Sequence, residues 1–430
     1  MDNTRKKQYQ MLVYSDCVFT TTGFGIVSKH ILKALHDTRK YEIDQLGINF
    51  FADFYDRNLY PYNVTPARLN NPQDVYGLQT FLNLLASGKY DVVFVINDTF
   101  VVEKIAAKIN EIRQHLRSEG KTVFKLVYYY PVDCHLLAQY STMIQVAEQP
   151  VAYTKFAFDE TLKILPQLKD RLTYIYHGAD INNFRQLPDA IRRVRRQTFF
   201  NLTPNDFLFI SVNRNSIRKD LPMTLLAFKR FKDKFPEANA KLYLHTMMQD
   251  QQGYDLRVAL QELGLDPRKD VAFPMNYNTH TGFQVDVMND IYNCADCFIT
   301  NTLGEGWGLC PVESACAGTP VIVPNNTSHP EIFGQNRGFV YPCTELKTID
   351  NSGYREIGRL DDIVNTMKKV WRLKLNKPDE LKKICENARA FCEQTSWSII
   401  GKQWNDLFDQ VIAKPYVEPS LQKNNLGELI

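Results

Sequence analysis

Short apolar runs alternate with amphipathic stretches along the first half of the chain. The runs are too short for helices and predict buried strands at Met11–Ser15, Tyr41–Ile48, Asp91–Ile96, Val123–Tyr130 and Val151–Thr154. Between them, apolar residues recur at i, i+4, i+7 and i+8, which predicts helices with one buried face, as at Val27, Ile31, Ala34 and Leu35. Strands that alternate with helices indicate a parallel, doubly wound α/β sheet, whose ligands bind beyond the carboxyl ends of the strands.

The same alternation continues in the second half. Strands are predicted at Phe207–Val212, Lys241–His245, Val271–Ala272, Cys297–Thr300 and Val321–Val323, with helices between them. A chain of 430 residues is too long for one hydrophobic core. The pattern therefore predicts two α/β domains.

Composition narrows the class of protein. The formal net charge of +3 is small and does not indicate a nucleic-acid-binding surface. The longest apolar run, Val92–Ile96, is far shorter than the ~20 residues of a membrane-spanning helix, and the polar N-terminus is not typical of a signal peptide. Nine scattered cysteines favour free thiols in a reducing compartment, and we interpret the Cys294-x-x-Cys297 pair as structural. We expect a cytoplasmic protein.

The stretch 304–323 combines a glycine loop with a predicted helix and strand. Gly306 and Gly308 allow a ligand to approach the backbone closely. Pro311 suits the first turn of a helix, and Gly318 would end it. A helix that begins beside such a loop presents free N–H groups and a partial positive charge, which favour a bound anion.

Two glutamates in this stretch, Glu305 and Glu313, are separated by seven residues. The stretch resembles the signature of the retaining GT-B glycosyltransferases of family 4, the glycosyl transferases group 1. The matching residues are Glu305, Gly306, Trp307, Gly308, Leu309, Glu313, Ser314, Ala317, Gly318, Pro320 and Val321. The resemblance implies two Rossmann-like, doubly wound parallel-sheet domains that face a central cleft. It also implies that Glu313 binds the donor ribose, and that Glu305 and the N–H groups of Gly306 to Leu309 orient the donor sugar.

A loop after the Phe207–Val212 strand contains Arg214 and Lys219 at the spacing of two cations that hold the donor diphosphate in the family. Fixed cations stabilise the charge that builds on a leaving diphosphate. By the resemblance, both side chains and the helix N-terminus near Cys310 hold this group. No Asp-x-Asp occurs in the sequence, so we expect activity without a metal or another cofactor.

Further site residues follow from the resemblance. The first glycine loop, with Gly23 and Gly25, is similar to one that lies against the donor phosphates. Either Asp133 or His135 would lie near the donor sugar, and the spacing does not decide between them. Met275 and Asn276 would line the nucleotide base.

The resemblance also suggests where the domains end. His177-Gly178-Ala179-Asp180 resembles the turn that ends the first domain, and Ser396 to Phe408 resembles a closing helix that crosses back to it. We predict an acceptor-side domain over 1–190, a nucleotide-sugar-binding domain over 191–395, the closing helix over 396–414 and a tail over 415–430. A basic stretch with Arg192, Arg193, Arg195 and Arg196 is interpreted as a solvated helix, with contact to anionic lipid or an acidic acceptor as the alternative.

The predicted function is transfer of a sugar, with retention of configuration, from a nucleotide-sugar donor to a glycan or another hydroxyl acceptor. A UDP- or GDP-sugar is the favoured donor, and peripheral contact with a membrane is left open. Two alternatives remain: a nucleotide-sugar epimerase of the same fold, and a non-catalytic subunit of a transferase complex. The sequence does not define the sugar, the acceptor, the linkage or the oligomeric state.

Overall fold

The computed structural model describes residues 8–51, 54–275, 277, 282–350 and 353–419, and the chain divides into two compact units. Unit 1 contains the described residues up to Gly178, together with Gly353 and those from Trp397 onward. Unit 2 contains residues 179–350 and 354–396. Each unit is built around a parallel sheet of its own.

The elements follow one another as strand and helix through most of the chain. The strands are β1 (Tyr9–Asp16), β2 (Tyr41–Ile48), β3 (Asn63–Pro66), β4 (Val92–Ile96), β5 (Lys125–Tyr130), β6 (His135–Leu136), β7 (Gln149–Ala152), β8 (Thr173–Tyr174), β9 (Phe207–Val212), β10 (Ala240–His245), β11 (Val271–Ala272), β12 (Cys297–Ile299), β13 (Val321–Pro324), β14 (Phe339–Tyr341), β15 (Cys343–Asp350) and β16 (Gly353–Gly358). The α-helices are α1 (Gly23–Asp37), α2 (Leu78–Ala86), α3 (Thr99–Ala106), α4 (Lys108–Ser118), α5 (Thr142–Val146), α6 (Lys155–Ile164), α7 (Asp189–Phe200), α8 (Leu221–Lys234), α9 (Leu256–Leu263), α10 (Val285–Cys294), α11 (Leu309–Cys316), α12 (His329–Phe333), α13 (Leu360–Asn376), α14 (Pro378–Gln394) and α15 (Trp397–Ala413).

Unit 1 has a seven-stranded parallel sheet in the order β3-β2-β1-β4-β5-β7-β8. Strand β4 is buried along its whole length, as expected for a central strand covered on both faces. Helix α15 is part of this unit, and its fully buried Trp404 packs against Phe94 and Tyr129 of the sheet. The carboxyl ends of the central strands lead into the loops that hold the unit 1 candidate residues.

Unit 2 has a six-stranded parallel sheet in the order β11-β10-β9-β12-β13-β14. Phe228 and Phe231 of α8 and Trp371 of α13 are buried in its hydrophobic core. The carboxyl end of β9 leads to the Arg214–Lys219 loop and that of β12 to the Glu305 loop, and β9 and β12 are neighbours in the sheet. The sheet order therefore brings the two predicted donor-binding loops together.

The prediction of a doubly wound parallel α/β architecture is confirmed, and the predicted strands lie within a few residues of the observed ones. Between β4 and β5 the chain forms two consecutive helices, since α3 ends at Ala106 and α4 begins at Lys108. Strand β3 and the adjacent strands β15 and β16 were not predicted.

Candidate active site

Helix α11 begins directly after the glycine loop, as its sequence predicts. Its N-cap is Gly308, whose φ of 90° lies in the left-handed region that favours glycine. Pro311 lies in the first turn, and Gly318 (φ 77°) follows the C-terminal end. The first-turn N–H groups of α11 are thus directed towards the loop that contains Glu305.

The Glu305 carboxylate is held between two cations. Lys219 donates a hydrogen bond from Nζ to Oε1, and Nη1 of Arg218 lies 3.2 Å from Oε2. The side chains of Glu305 and Lys219 are 12% and 14% exposed, so solvent screens this ion pair weakly. Burial alone would raise the pKa of Glu305, but the charges of Lys219 and Arg218 outweigh burial and hold that pKa well below its usual range. Glu305 is therefore ionised throughout the physiological range.

Arg218 was not predicted from the sequence. It precedes Lys219 in a short 3-10 turn, and its Nη1 also donates to the carbonyl oxygen of Gly304. Leu303 N–H in turn donates to the Arg218 carbonyl oxygen at 2.8 Å, so the two loops are joined by backbone as well as by charge. A sequence signal existed in the adjacent Arg218-Lys219 pair, but paired cations in a loop are more often solvated.

Arg214 is placed differently from Lys219. Its side chain is 57% exposed, and its Nε lies 3.4 Å from a carboxylate oxygen of Asp250. Lys219 contacts Glu305, whereas Arg214, from the same loop after β9, lies at the surface of unit 2. A long exposed guanidinium side chain retains the freedom to follow an incoming anion.

Glu313 lies on α11, and its surroundings shift its pKa in the direction opposite to that of Glu305. Its Oε2 accepts a hydrogen bond of 2.7 Å from the hydroxyl of Tyr292 on α10. Burial raises the pKa of Glu313 to about 7, against the opposing effect of the Tyr292 hydrogen bond. Burial likewise raises the pKa of the neighbouring Cys310 thiol to about 12, so that thiol is neutral. Tyr292 was missed by sequence reasoning, because a tyrosine within an amphipathic helix is typically a core residue.

The predicted base-lining residues are only partly described. Met275 is 85% exposed, and Asn276 lies outside the described residues. Tyr277 next to them packs edge-on against His245, with ring centroids 4.7 Å apart, and also contacts Phe283. Tyr277 and Phe283 lie in the segment beyond β11, and both rings contact His245 at the carboxyl end of β10.

The other candidates belong to unit 1. Gly23 begins α1, and a Cβ on Gly25 would meet Oγ1 of Thr20 at 2.1 Å, so this glycine is required for close packing of the loop. His135 has its Nδ1 3.1 Å from the carboxylate of Glu160, and Asp133 is half-buried two residues before it. Neither observation decides which of the two would approach a donor sugar.

The basic helix α7 is not simply solvated. Arg196 donates to the carbonyl oxygen of Cys294 and lies 3.0 Å from Asp296, and Arg192 donates to the carbonyl oxygen of Asn293. Arg192 and Arg196 line a cavity of about 1180 Å³, whose lining also includes Asp296 and Pro320. Asp296 directly precedes β12, and Pro320 directly precedes β13. The cavity thus lies at the amino ends of the strands, whereas the Glu305 loop follows a carboxyl end.

The described part of the chain shows neither a cluster of metal ligands nor a helix able to span a membrane. No cluster of three or more His, Cys, Asp or Glu side chains there has the arrangement of a metal site. None of the helices within the described ranges combines the length and apolar character of a membrane span.

Comparison with known proteins supports a single class. Residues 194–351 match the family model described as glycosyl transferases group 1. Mannosylfructose-phosphate synthase from Agrobacterium fabrum is 27% identical over 207 residues, which are 47% of this chain and 41% of that protein. This chain therefore matches about two fifths of that relative's length.

Solved structures match over nearly the whole chain. Anabaena Alr3699/HepE, in complex with UDP and glucose, has a TM-score of 0.65 at 17% identity and covers 94% of this chain and 100% of its own. Sucrose-phosphate synthase from Thermosynechococcus elongatus has a TM-score of 0.68 at 15% identity and covers 95% and 100%. At such low identity these likenesses show the fold. The chain has the GT-B fold, and its residues 194–351 match the model of the glycosyl transferases group 1 family.

Proposed function

We propose that this protein is a retaining glycosyltransferase that takes a sugar from a nucleotide sugar bound to unit 2. The observation that carries the proposal is the Glu305 carboxylate, held between Lys219 and Arg218 beside the N-terminus of α11. The proposal is supported by two similar proteins whose names describe synthesis of phosphorylated sugars, mannosylfructose-phosphate synthase and sucrose-phosphate synthase. It is also supported by the similar Anabaena structure, which was solved in complex with UDP and glucose.

The cations supply the electrostatic part of the proposed reaction. Negative charge develops on the diphosphate as the bond to the sugar breaks, and fixed positive groups stabilise that charge in a site from which water is excluded. Lys219 and Arg218 are already arranged around the Glu305 carboxylate, the α11 N-terminus follows the same loop, and the exposed Arg214 could exchange Asp250 for an incoming anion. This set can neutralise a diphosphate without a divalent metal, so metal-independent activity is part of the proposal.

The two glutamates receive separate roles. Glu305, ionised and fixed, accepts hydrogen bonds from hydroxyls of the donor sugar. Glu313 accepts the two ribose hydroxyls, and the Tyr292 hydrogen bond orients its carboxylate. Retention would follow from attack on the face from which the diphosphate leaves, with the leaving phosphate accepting the proton of the acceptor hydroxyl. Gly23, Gly25, Asp133 and His135 remain candidates through the resemblance alone.

Thermal shifts with a panel of UDP-, GDP-, ADP- and dTDP-sugars test the proposal. We expect one nucleotide class to raise the Tm of the wild type and of Glu262→Ala, an exposed glutamate in α9 that serves as control. The shift should be lost in Glu313→Ala, because the ribose contacts are removed. An equal shift in Glu313→Ala contradicts the assigned site, and binding without turnover supports the non-catalytic subunit instead.

A further inference from the structure

His329 is a buried histidine that lies next to the Glu305 loop. It is the first residue of α12, it has no exposed surface, and neither of its ring nitrogens has a hydrogen-bond partner among the residues that the structure describes. The other two buried histidines of the described ranges differ in this respect. His177 pairs through Nδ1 with the Tyr129 hydroxyl at 2.7 Å, and His245 pairs with the Tyr243 hydroxyl at 2.8 Å.

An unsatisfied imidazole is unfavourable in a protein interior. A buried polar group without a partner loses its hydrogen bonds to water and gains none in return. Neither nitrogen of His329 is accessible to water in this arrangement of the loop. A leucine of similar volume would remove this cost, so packing alone does not account for a histidine here.

The surroundings of His329 connect it to the candidate donor site. Its Nε2 would lie 3.5 Å from a Cβ placed on Gly308, the N-cap of α11. The two preceding residues hold the same loop: Ser328 Oγ donates to the Trp307 carbonyl oxygen at 3.2 Å, and Thr327 Oγ1 accepts from Glu305 N–H at 2.9 Å. His329 therefore lies next to the loop whose residues would hold the donor sugar.

The ring is neutral at physiological pH. Burial lowers the pKa of His329, the charge of Glu305 opposes this, and the charges of Lys219 and Arg218 add to it, so that the pKa is about 4. A neutral imidazole donates through one nitrogen and accepts through the other. A sugar hydroxyl has the same two capacities, whereas the diphosphate only accepts and already has Lys219 and Arg218 as candidate partners.

We propose that His329 is a further donor-binding residue, which hydrogen-bonds a hydroxyl of the transferred sugar when the Glu305 loop adjusts to the bound nucleotide sugar. The inference rests on the proposed function. Gly308 has no side chain, so a small shift of residues 304–308 would bring the ring nitrogen to the ligand. His329 would then help to select the sugar, while the cations hold the diphosphate.

Three variants test this inference. His329→Leu removes both nitrogens at similar volume, and His329→Gln keeps an amide nitrogen near the position of Nε2. Tyr41→Phe is the matched control, because the Tyr41 hydroxyl in β2 of unit 1 is also buried and has no hydrogen-bond partner in the described part of the chain. For each variant, the Tm without ligand is measured. Calorimetric affinities are then measured for the nucleotide sugar that binds the wild type and for its free nucleoside diphosphate.

Removing an unpartnered polar group should raise the Tm of His329→Leu and of Tyr41→Phe, by about 2–4 °C. In His329→Leu alone, the affinity for the nucleotide sugar should fall about 10-fold while that for the free diphosphate stays unchanged, and His329→Gln should recover part of the loss. A lower Tm with unchanged sugar affinity would show a structural histidine and overturn the inference. Equal losses for both ligands would also overturn it.

A second measurement applies if His329→Leu does not fold. The ring-nitrogen NMR signals of His329 in the wild type, assigned by their disappearance in His329→Gln, should move on addition of the nucleotide sugar and not of the free diphosphate. Unmoved signals contradict the inference. If no nucleotide sugar binds the wild type, the proposed function itself fails and this inference with it, whereas binding that His329 variants do not alter refutes the inference alone.

Discussion

At the scale of single residues, Glu305 and Glu313 show how two glutamates in one motif acquire different properties. Lys219 and Arg218 keep the pKa of Glu305 low, whereas burial raises the pKa of Glu313 to about 7. The sequence predicts both residues and their roles through the motif. It does not predict this difference, because only folding brings Arg218 next to Glu305 and Tyr292 next to Glu313.

The raised pKa of Glu313 predicts how stability depends on pH. The folded-state pKa lies above the ordinary value near 4.3, so the folded state binds the proton more tightly. The stability that this provides is fully present below about pH 4 and is lost as pH rises through 7. At pH 8, Glu313→Gln should increase the free energy of unfolding by about 1–3 kcal/mol, and at pH 4 it should change little. Urea unfolding at the two pH values measures this, and an equal effect at both would contradict it.

The same group should control donor binding. Only the ionised carboxylate accepts both ribose hydroxyls, so the KM for the donor should decrease as pH rises from 6 to 8. In Glu313→Gln the KM should be high and independent of pH over this range. A wild-type KM that does not change between pH 6 and 8 would argue against the ribose role.

The ion pair of Lys219 with Glu305 predicts strong coupling between the two side chains. Lys219→Met leaves a nearly buried carboxylate with Arg218 as its remaining cation and should cost about 2–4 kcal/mol of unfolding free energy. The double variant Lys219→Met/Glu305→Gln should cost less than the two single variants together, with a coupling of about 1–3 kcal/mol. Denaturant unfolding of the four proteins measures the cycle, and additive costs would contradict a direct pair.

At the scale of elements, the strand–loop–helix units of unit 2 place the site. Helix α11, the glycine loop before it and the following strand could be predicted, because glycine, proline and apolar residues occur at positions with strong local preferences. The short strand β3 was missed because its residues are exposed or half-buried and lack a clear apolar alternation. The β15–β16 pair was missed for a similar reason, since polar residues dominate β15.

Gly308 tests the role of the helix start. Alanine there would adopt an unfavourable φ of 90°, and its Cβ would lie 3.1 Å from Pro311 Cγ. Gly264→Ala is a matched control, because Gly264 ends α9 at φ 62° with no atom within 4 Å of the added Cβ. Both variants should lose about 1 kcal/mol of stability, and Gly308→Ala alone should also weaken nucleotide binding. Thermal unfolding and calorimetry measure the two effects, and equal nucleotide affinities would contradict the role of this loop.

At the scale of the whole molecule, the sequence predicts two parallel α/β sheets because apolar runs and amphipathic stretches alternate through both halves of the chain. The apolar pattern alone does not assign Trp397 to Ala413 to unit 1, since that assignment depends on contacts of Trp404 with residues far away in the sequence. The closing helix that crosses back to the first domain is a prediction from the family resemblance. The pattern also does not reveal that the buried ring nitrogens of His329 are without hydrogen-bond partners among the described residues.

The proposed neutralisation of the diphosphate by protein groups predicts activity without a divalent metal. Turnover of the donor should be the same in excess EDTA as in magnesium or manganese, because Lys219, Arg218 and the α11 N-terminus supply the positive charge. Loss of turnover in EDTA that manganese restores would contradict this proposal.

The most direct test of the central claim is an NMR time course of the purified protein with UDP-, GDP-, ADP- and dTDP-sugars and a mixture of mono- and disaccharide acceptors. We predict that one donor is consumed, that the product first formed keeps the anomeric configuration of that donor, and that Glu313→Ala abolishes the reaction. A product of inverted configuration would contradict retention, and unchanged turnover in Glu313→Ala would contradict the assigned site. If the wild type neither consumes nor binds any donor, the account of this protein as a nucleotide-sugar-dependent transferase is wrong.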